Sequence, residues 1–107
     1  MELHQKKCIP CESGAMPLTE KESKKILERV PHWKLNGNKI EREFVFKNFV
    51  EALKFVNKVG DLAESEGHHP DIHIHWNKVN LELWTHSMNG LSENDFIVAS
   101  KVNSLQL

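Results

Sequence analysis

The sequence predicts an α+β domain in which a four-stranded antiparallel sheet carries three helices on one face. Three observations support this: three helix starts with the same capping pattern, two pairs of alternating apolar segments split by short polar turns, and the resulting element order α-β-β-α-β-β-α. A chain of 107 residues is the usual length of one domain, so we expect no separate regulatory unit.

Each predicted helix begins with a capping side chain followed three residues later by an acid. The pairs are Thr19 with Glu22, Asn48 with Glu51, and Ser92 with Asp95. The capping oxygen can accept hydrogen bonds from the first free N–H groups of the helix. The negative charge of the acid is stabilised by the positive end of the helix dipole. The predicted helices span residues 20–30, 49–63 and 93–105, and Pro31 ends the first.

The second helix carries two neighbouring apolar stripes. One stripe contains Phe49, Leu53, Val56, Gly60 and Ala63, and the other contains Ala52, Phe55, Val59 and Leu62. A helix that is apolar over so wide an arc can cover a sheet with one side and meet a partner subunit with the other. The sequence therefore predicts a homodimer or homotetramer.

Two hairpins supply the four predicted strands. Residues 33–35 and 40–46 flank Asn36-Gly37-Asn38, and residues 72–76 and 79–86 flank Asn77-Lys78. On the second hairpin, we expect Ile72, Ile74, Trp76, Val79, Leu81 and Leu83 to face the helices. A two-residue turn at Asn77-Lys78 would pair Trp76 with Val79 and place His69 opposite His86.

Histidine is the over-represented residue, with seven in the chain and five of them between His68 and His86. In the predicted register His68, His69 and His86 gather at the open end of the hairpin, with Trp84 close by. Because imidazole has a pKa of about 6.5, it can both donate and accept protons near neutral pH. Such a cluster suits proton transfer to and from a heterocyclic substrate.

A metal site is the alternative for this part of the chain. His73 and His75 share a strand face with Glu82, and a His-His-Glu set can bind zinc. We favour exposed strand residues and no metal, because His68 and His69 are adjacent and adjacent side chains usually point apart. His4 and His32 are isolated and receive no functional role.

Residues 1–17 are predicted to be a flexible leader, and residues 18–107 the single domain. The leader contains Cys8-Ile9-Pro10-Cys11, a spacing that redox and zinc sites use. No predicted strand precedes the motif and no second cysteine pair follows it, so we interpret it as part of a reduced leader.

Net charge and hydropathy exclude two classes of partner. The formal charge of −1 argues against nucleic acid held by bulk electrostatics, and no apolar run has the roughly 18–20 residues that a membrane span needs. Residues 1–7 lack the apolar core of a signal peptide, so we expect a cytoplasmic protein. The chain has no Gly-rich phosphate loop.

The segment Glu64-Ser65-Glu66-Gly67-His68-His69-Pro70, followed by Trp76, His86 and Asp95, resembles the signature of the pterin-4a-carbinolamine dehydratase family. The segments Asn77-Lys78-Val79 and Gly90-Leu91-Ser92-Glu93 also look like the family. The resemblance extends over residues 17–104, which is nearly the whole predicted domain.

The resemblance implies the fold described above and an enzymatic activity. Family members dehydrate 4a-hydroxytetrahydrobiopterin, or a related 4a-hydroxytetrahydropterin, to the quinonoid dihydropterin and water. This reaction recycles the tetrahydrobiopterin-type cofactor of aromatic amino-acid hydroxylases, so a hydroxylase of the same pathway is an implied partner. The family needs neither a metal nor an organic cofactor.

By position, the resemblance implies a principal acid/base histidine at His68 and two further catalytic histidines at His69 and His86. The pterin-lining positions are Pro70, Thr85, Ser87 and Met88. Asp95 also matches, but its place three residues after Ser92 favours a capping role.

A non-catalytic dimerisation or regulatory partner is the alternative function. Animal relatives dimerise with a homeodomain transcription factor through the long helix, and an arginine commonly precedes the acid that matches Asp95 in animal members. Asn94 stands at that arginine's position here, so a role tied to the arginine does not transfer to this chain.

Overall fold

The computed structural model describes residues 2–8 and 16–105, and within them the predicted α+β architecture is confirmed. The helices are α1 (Glu20–Leu27), α2 (Phe49–Glu66) and α3 (Glu93–Asn103), and the strands are β1 (Lys34–Asn36), β2 (Lys39–Val45), β3 (Asp71–His75) and β4 (Lys78–Leu83). Short 3₁₀ helices span Leu3–Gln5 and His86–Met88. The sheet is antiparallel with the strand order β1-β2-β4-β3.

All three predicted helix caps are confirmed. The backbone N–H of Glu22 donates to Thr19 Oγ1 at 3.1 Å, and that of Glu51 donates to Asn48 Oδ1 at 2.9 Å. Ser92 forms a capping box with an acid in the first turn of α3. These bonds satisfy N–H groups that have no partner within the helix, which is why the sequence specifies the helix starts so well.

The long helix α2 turns the second of its two apolar stripes towards the sheet. Ala52, Phe55 and Val59 of that stripe are buried, as is Ala63 of the other, while Leu62 is half-buried. The Phe55 ring centroid lies 4.5 Å from that of Phe44 on β2. The other stripe begins at the exposed side chains Phe49 and Leu53. No helix in the described ranges is both long enough and apolar enough to cross a membrane.

The core lies between the helices and one face of the sheet. Its largest fully buried apolar side chains from the sheet are Ile40, Val79, Leu81 and Leu83, and those from α3 are Phe96, Ile97, Val98 and Val102. Leu3, in the segment predicted to be a flexible leader, also enters this core at 5% exposure. Its 3₁₀ helix contacts α3, where Lys101 Nζ donates to the carbonyl oxygen of His4 at 3.0 Å.

The predicted register of the second hairpin is wrong by two residues. His75 pairs with Lys78, so the turn is Trp76-Asn77, and the expected pairs Trp76–Val79 and His69–His86 do not form. The turn is held at this position by hydrogen bonds to Phe46, the residue after β2. The N–H of Phe46 donates to the carbonyl of Asn77 at 2.8 Å, and Asn77 Nδ2 donates to the carbonyl of Phe46 at 3.0 Å. Trp76, with φ 52°, is 69% exposed instead of facing the helices.

The two-residue shift preserves the predicted faces of the strands. Because side chains alternate with period two, Ile72 and Ile74 stay on the helix side and pair with Leu81 and Val79. β3 is an edge strand, which leaves Ile74 40% exposed. β4 ends at Leu83, so His86 follows the strand instead of belonging to it.

Candidate active site

His68 leaves the end of α2 through a glycine turn. Gly67 has φ 66°, a left-handed conformation that glycine adopts without the steric cost of a Cβ atom. The N–H groups of Gly67 and His68 both donate to the carbonyl of Ala63, which is the pattern that ends a helix in this way. The turn directs His68 towards the first turn of α3.

Asp95 meets His68 there and is fully buried. Asp95 Oδ1 lies 2.6 Å from His68 Nε2, and the His68 side chain is 13% exposed. The other oxygen, Oδ2, accepts from Thr85 Oγ1 at 2.8 Å and from the N–H of Ser92 at 3.0 Å. Because an ionised carboxylate only accepts, Nε2 of His68 carries a hydrogen, and Nδ1 is the nitrogen that can exchange a proton with a ligand.

The Thr85 hydroxyl completes a short chain of hydrogen bonds behind this pair. It gives its single hydrogen to Asp95, so Ser92 Oγ, 2.7 Å away, is the donor to Thr85. Thr85 is 4% exposed. Its hydroxyl is therefore used within the protein and orients Asp95, and the pterin-lining role that the resemblance implies for Thr85 stays a prediction.

His69 has a partner of a different kind. Its Nε2 lies 2.5 Å from Glu64 Oε2, one turn back on α2. Both side chains are largely exposed, at 58% for His69 and 79% for Glu64. Pro70 follows and is half-buried at the entry to β3. The adjacent histidines thus have separate carboxylates, one buried and one on the surface.

His86 lies in a loop whose two ends, Thr85 and Gly90, are joined by backbone hydrogen bonds. Thr85 N–H donates to the carbonyl of Gly90 at 2.7 Å, and Asn89 takes a left-handed conformation at the end of the 3₁₀ helix. His86 is exposed, and its ring centroid lies 4.2 Å from that of Trp84. Ser87 and Met88, in the same loop, are exposed and half-buried respectively.

The structure thus connects His68 to His86 through contacts that the predicted hairpin register did not include. His68 contacts Asp95, Asp95 contacts Thr85, and Thr85 directly precedes His86. The capping role predicted for Asp95 is confirmed, but its contact with His68 was not predicted. No local pattern could have revealed that contact, because His68 and Asp95 are 27 positions apart in the chain and the contact uses Oδ1, the oxygen that the cap leaves free.

His73 and Glu82, two members of the alternative metal set, form a hydrogen-bonded pair. His73 Nε2 lies 3.0 Å from Glu82 Oε1, and Lys39 Nζ lies 3.7 Å from Glu82 Oε2. Within residues 2–8 and 16–105, no three His, Cys, Asp or Glu side chains are grouped so that they could hold a metal ion. Glu82 is therefore engaged by an imidazole and an ammonium group.

Glu66 ties the end of α2 to the N-terminal segment. Its Oε1 accepts the N–H of Cys8 at 2.8 Å, and Lys101 Nζ lies 3.6 Å from its Oε2. The Cys8 hydrogen bond and the Lys101 charge lower the pKa of Glu66. Burial, together with the nearby Glu66 charge, raises the pKa of the Cys8 thiol to about 12, so Cys8 is a neutral thiol at physiological pH. Cys11 lies outside the described residues.

Comparison with known proteins identifies the family. The model of the family described as Pterin 4 alpha carbinolamine dehydratase matches residues 16–105. A Methylococcus capsulatus protein, provisionally named a pterin-4-alpha-carbinolamine dehydratase, is 52% identical over 96% of this chain and 92% of its own. The mitochondrial pterin-4-alpha-carbinolamine dehydratase 2 of Arabidopsis thaliana is 46% identical over 99% of this chain and 60% of its own length.

A solved structure agrees with the sequence matches. The crystal structure of a Brucella melitensis protein described as a transcriptional coactivator/pterin dehydratase superposes with a TM-score of 0.77 at 37% identity. The match covers 82% of this chain and 96% of that protein. The chain therefore belongs to the pterin-4a-carbinolamine dehydratase family.

Proposed function

We propose that this chain dehydrates 4a-hydroxytetrahydrobiopterin, or a related 4a-hydroxytetrahydropterin, to the quinonoid dihydropterin and water by histidine acid/base catalysis. In this reaction the bond between C4a and the hydroxyl oxygen breaks, a proton joins that oxygen, and the proton on N5 leaves as the C4a–N5 double bond forms. No electron is transferred to another molecule. The protein has only to move protons at two neighbouring positions of one heterocycle.

The contact between His68 and the fully buried Asp95 is the observation that supports this proposal best. A carboxylate inside an apolar core is costly unless its charge is compensated and its oxygens are hydrogen-bonded. Asp95 meets that requirement with Thr85 and Ser92 on one oxygen and His68 on the other. An imidazole held in this way has a fixed tautomer, and the carboxylate stabilises its protonated form.

On these grounds we propose that His68 is the base that removes the proton from N5. With a hydrogen on Nε2, the neutral ring offers Nδ1 as the base, and Asp95 stabilises the imidazolium that forms. His86, which is exposed and can exchange protons with solvent, is the proposed proton donor to the departing hydroxyl. His69, paired with Glu64 at the surface, is the second candidate for that step. General acid–base help of this kind is typically worth about 10²–10⁴ in rate.

The proposed pocket lies on the loop and turn around these histidines. Pro70, Thr85, Ser87 and Met88 are the proposed pterin-lining residues, because they match the positions that line the pterin in the family. Thr85 is also proposed to hold Asp95, because its side chain is buried and its hydroxyl donates to that carboxylate. Recycling of a tetrahydrobiopterin-type cofactor for an aromatic amino-acid hydroxylase is the proposed biological context.

Self-association is part of the proposal. Phe49, Val50 and Leu53 are 44%, 58% and 38% exposed at the start of α2. Burying such side chains against a second copy would remove apolar surface from water, so a homodimer or homotetramer is the expected state.

The decisive experiment is a stopped-flow assay of 4a-hydroxytetrahydropterin dehydration with the wild type and with His68→Ala. We expect the wild type to exceed the uncatalysed rate and His68→Ala to lose most of that excess, by a factor of about 10²–10⁴. If neither protein differs from the uncatalysed rate, the enzyme proposal fails and the non-catalytic partner alternative is favoured. Loss of wild-type activity on chelation would contradict a metal-free mechanism.

A further inference from the structure

We propose that Trp84 is a positioning residue for His86, and that Asp71 holds Trp84 in the orientation this requires. The inference rests on the proposed dehydratase function and adds two residues that the family signature did not include. His68 and His69 are each held by a carboxylate, whereas the His86 imidazole lies against an indole ring. The two ring centroids are 4.2 Å apart, with 47° between the ring planes.

The indole is itself fixed from β3. Trp84 follows the last residue of β4, and its Nε1–H donates to Asp71 Oδ2 at 3.0 Å, with both groups partly buried. Asp71 is the first residue of β3 and pairs with Glu82 in the ladder. The hydrogen bond from Trp84 to Asp71 therefore closes the open end of the hairpin just beyond the last paired residues.

The charges around Asp71 explain why its carboxylate is available to the indole. Asp71 and Glu82 are directly opposite in the register, and like charges in that arrangement repel each other. Glu82 is instead engaged by His73 at 3.0 Å and by Lys39 at 3.7 Å. The Lys39 ammonium also lies 5.7 Å from the centroid of the Trp84 ring, so the indole is held from β2 as well as from β3.

His86 needs a neighbouring ring such as the Trp84 indole to hold its orientation, because it lies in an exposed loop. It begins a three-residue 3₁₀ helix and is exposed, so a free imidazole there would sample several rotamers. Proton transfer requires the donor within roughly 2.6–3.2 Å of the reacting atom. A flat aromatic surface restricts the ring to fewer orientations without using either of its nitrogen atoms, and both nitrogens remain able to exchange protons.

The test compares Trp84→Leu with Trp84→Phe, and Asp71→Ala with Asp71→Asn. We expect Trp84→Leu and Asp71→Ala to lower kcat about tenfold with KM changed much less, since a catalytic group would be misplaced. Trp84→Phe keeps an aromatic ring, and Asp71→Asn keeps an oxygen that accepts the Nε1–H, so both should recover most of the wild-type kcat.

A second measurement does not depend on activity. In the NMR spectrum the carbon-bound ring protons of His86, assigned with His86→Gln, should be shifted upfield by the indole, and Trp84→Leu should abolish that shift. Wild-type kcat in Trp84→Leu, or His86 resonances that do not change in it, would overturn the proposal. A wild type that does not exceed the uncatalysed rate would refute the proposed function, and the NMR shift would still test the contact between Trp84 and His86.

Discussion

His68 and His69 are neighbours in the sequence, and each contacts a carboxylate through Nε2 at nearly the same distance, 2.6 Å and 2.5 Å. Their surroundings differ completely. The side chains of His68 and Asp95 are 13% and 0% exposed, whereas those of His69 and Glu64 are 58% and 79% exposed. The first pair lies between α2 and α3, and the second lies on the outer surface of α2.

The comparison shows that distance alone does not determine what an ion pair contributes. Water and salt screen an exposed pair, and its net contribution is usually between zero and about 1 kcal/mol. In a buried pair the loss of one partner leaves the other uncompensated, which costs roughly 3–5 kcal/mol. We therefore expect the same chemical substitution to have very different consequences in the two pairs.

The largest effect is expected from Asp95→Asn. An amide can offer only one oxygen, so it either keeps the contacts with Thr85 and Ser92 or keeps an acceptor for His68 Nε2, but not both. We expect kcat to fall by about 10²–10⁴ and the free energy of unfolding to fall by about 2–4 kcal/mol. Stopped-flow kinetics and urea denaturation measure the two quantities, and a kcat within threefold of wild type would contradict the role given to Asp95.

An intermediate effect, with a defined pH dependence, is expected from Glu66→Gln. The pKa of Glu66 is lowered in the folded state, so its carboxylate stabilises the fold at pH values above its unfolded pKa of about 4.5. That contribution is lost as the pH falls through the lower, folded pKa. We expect the unfolding free energies of wild type and Glu66→Gln to differ at neutral pH and to converge below pH 4.5. A difference that is constant from neutral to acidic pH would refute this.

The smallest effect is expected from Glu64→Gln, the matched control for Asp95→Asn. Because Glu64 and His69 are exposed, we expect the unfolding free energy to change by less than about 0.5 kcal/mol, and less still at high salt. The dehydration rate should stay within about threefold of wild type. A loss comparable to that of Asp95→Asn would show that burial does not separate the two pairs.

Much of the fold could be predicted from local patterns. The helix starts at Thr19, Asn48 and Ser92 depend on side chains three residues apart, and all three are where the sequence placed them. The faces of β3 and β4 follow from a period of two, which a two-residue slip does not alter. The ends of elements were less well determined. The helix α1 stops at Leu27, because the N–H groups of Arg29 and Val30 bond to carbonyls three residues back and form a tighter turn before Pro31.

The site was predictable in its residue types and less so in its contacts. The motif around His68 identified the family, and the catalytic roles of His68, His69 and His86 stay predictions. The sequence could not reveal that Asp95 serves both the cap of α3 and His68, because these residues are 27 positions apart. Nor could it reveal that Trp84 lies between Asp71 and His86.

The sequence by itself determined the order of helices and strands, the caps, the buried face of the sheet and the histidine-rich signature, since each depends on residues within a turn or a strand of one another. Tertiary structure alone decided which apolar stripe of α2 faces the sheet, where Leu3 packs, and how the second hairpin pairs. That hairpin turns at Trp76-Asn77 because Phe46, about thirty residues earlier, bonds to Asn77. His68 and His69 look equivalent in the sequence but differ in the folded chain. Packing of α2 against α3 shields His68 from most of the solvent, whereas His69 stays exposed to water.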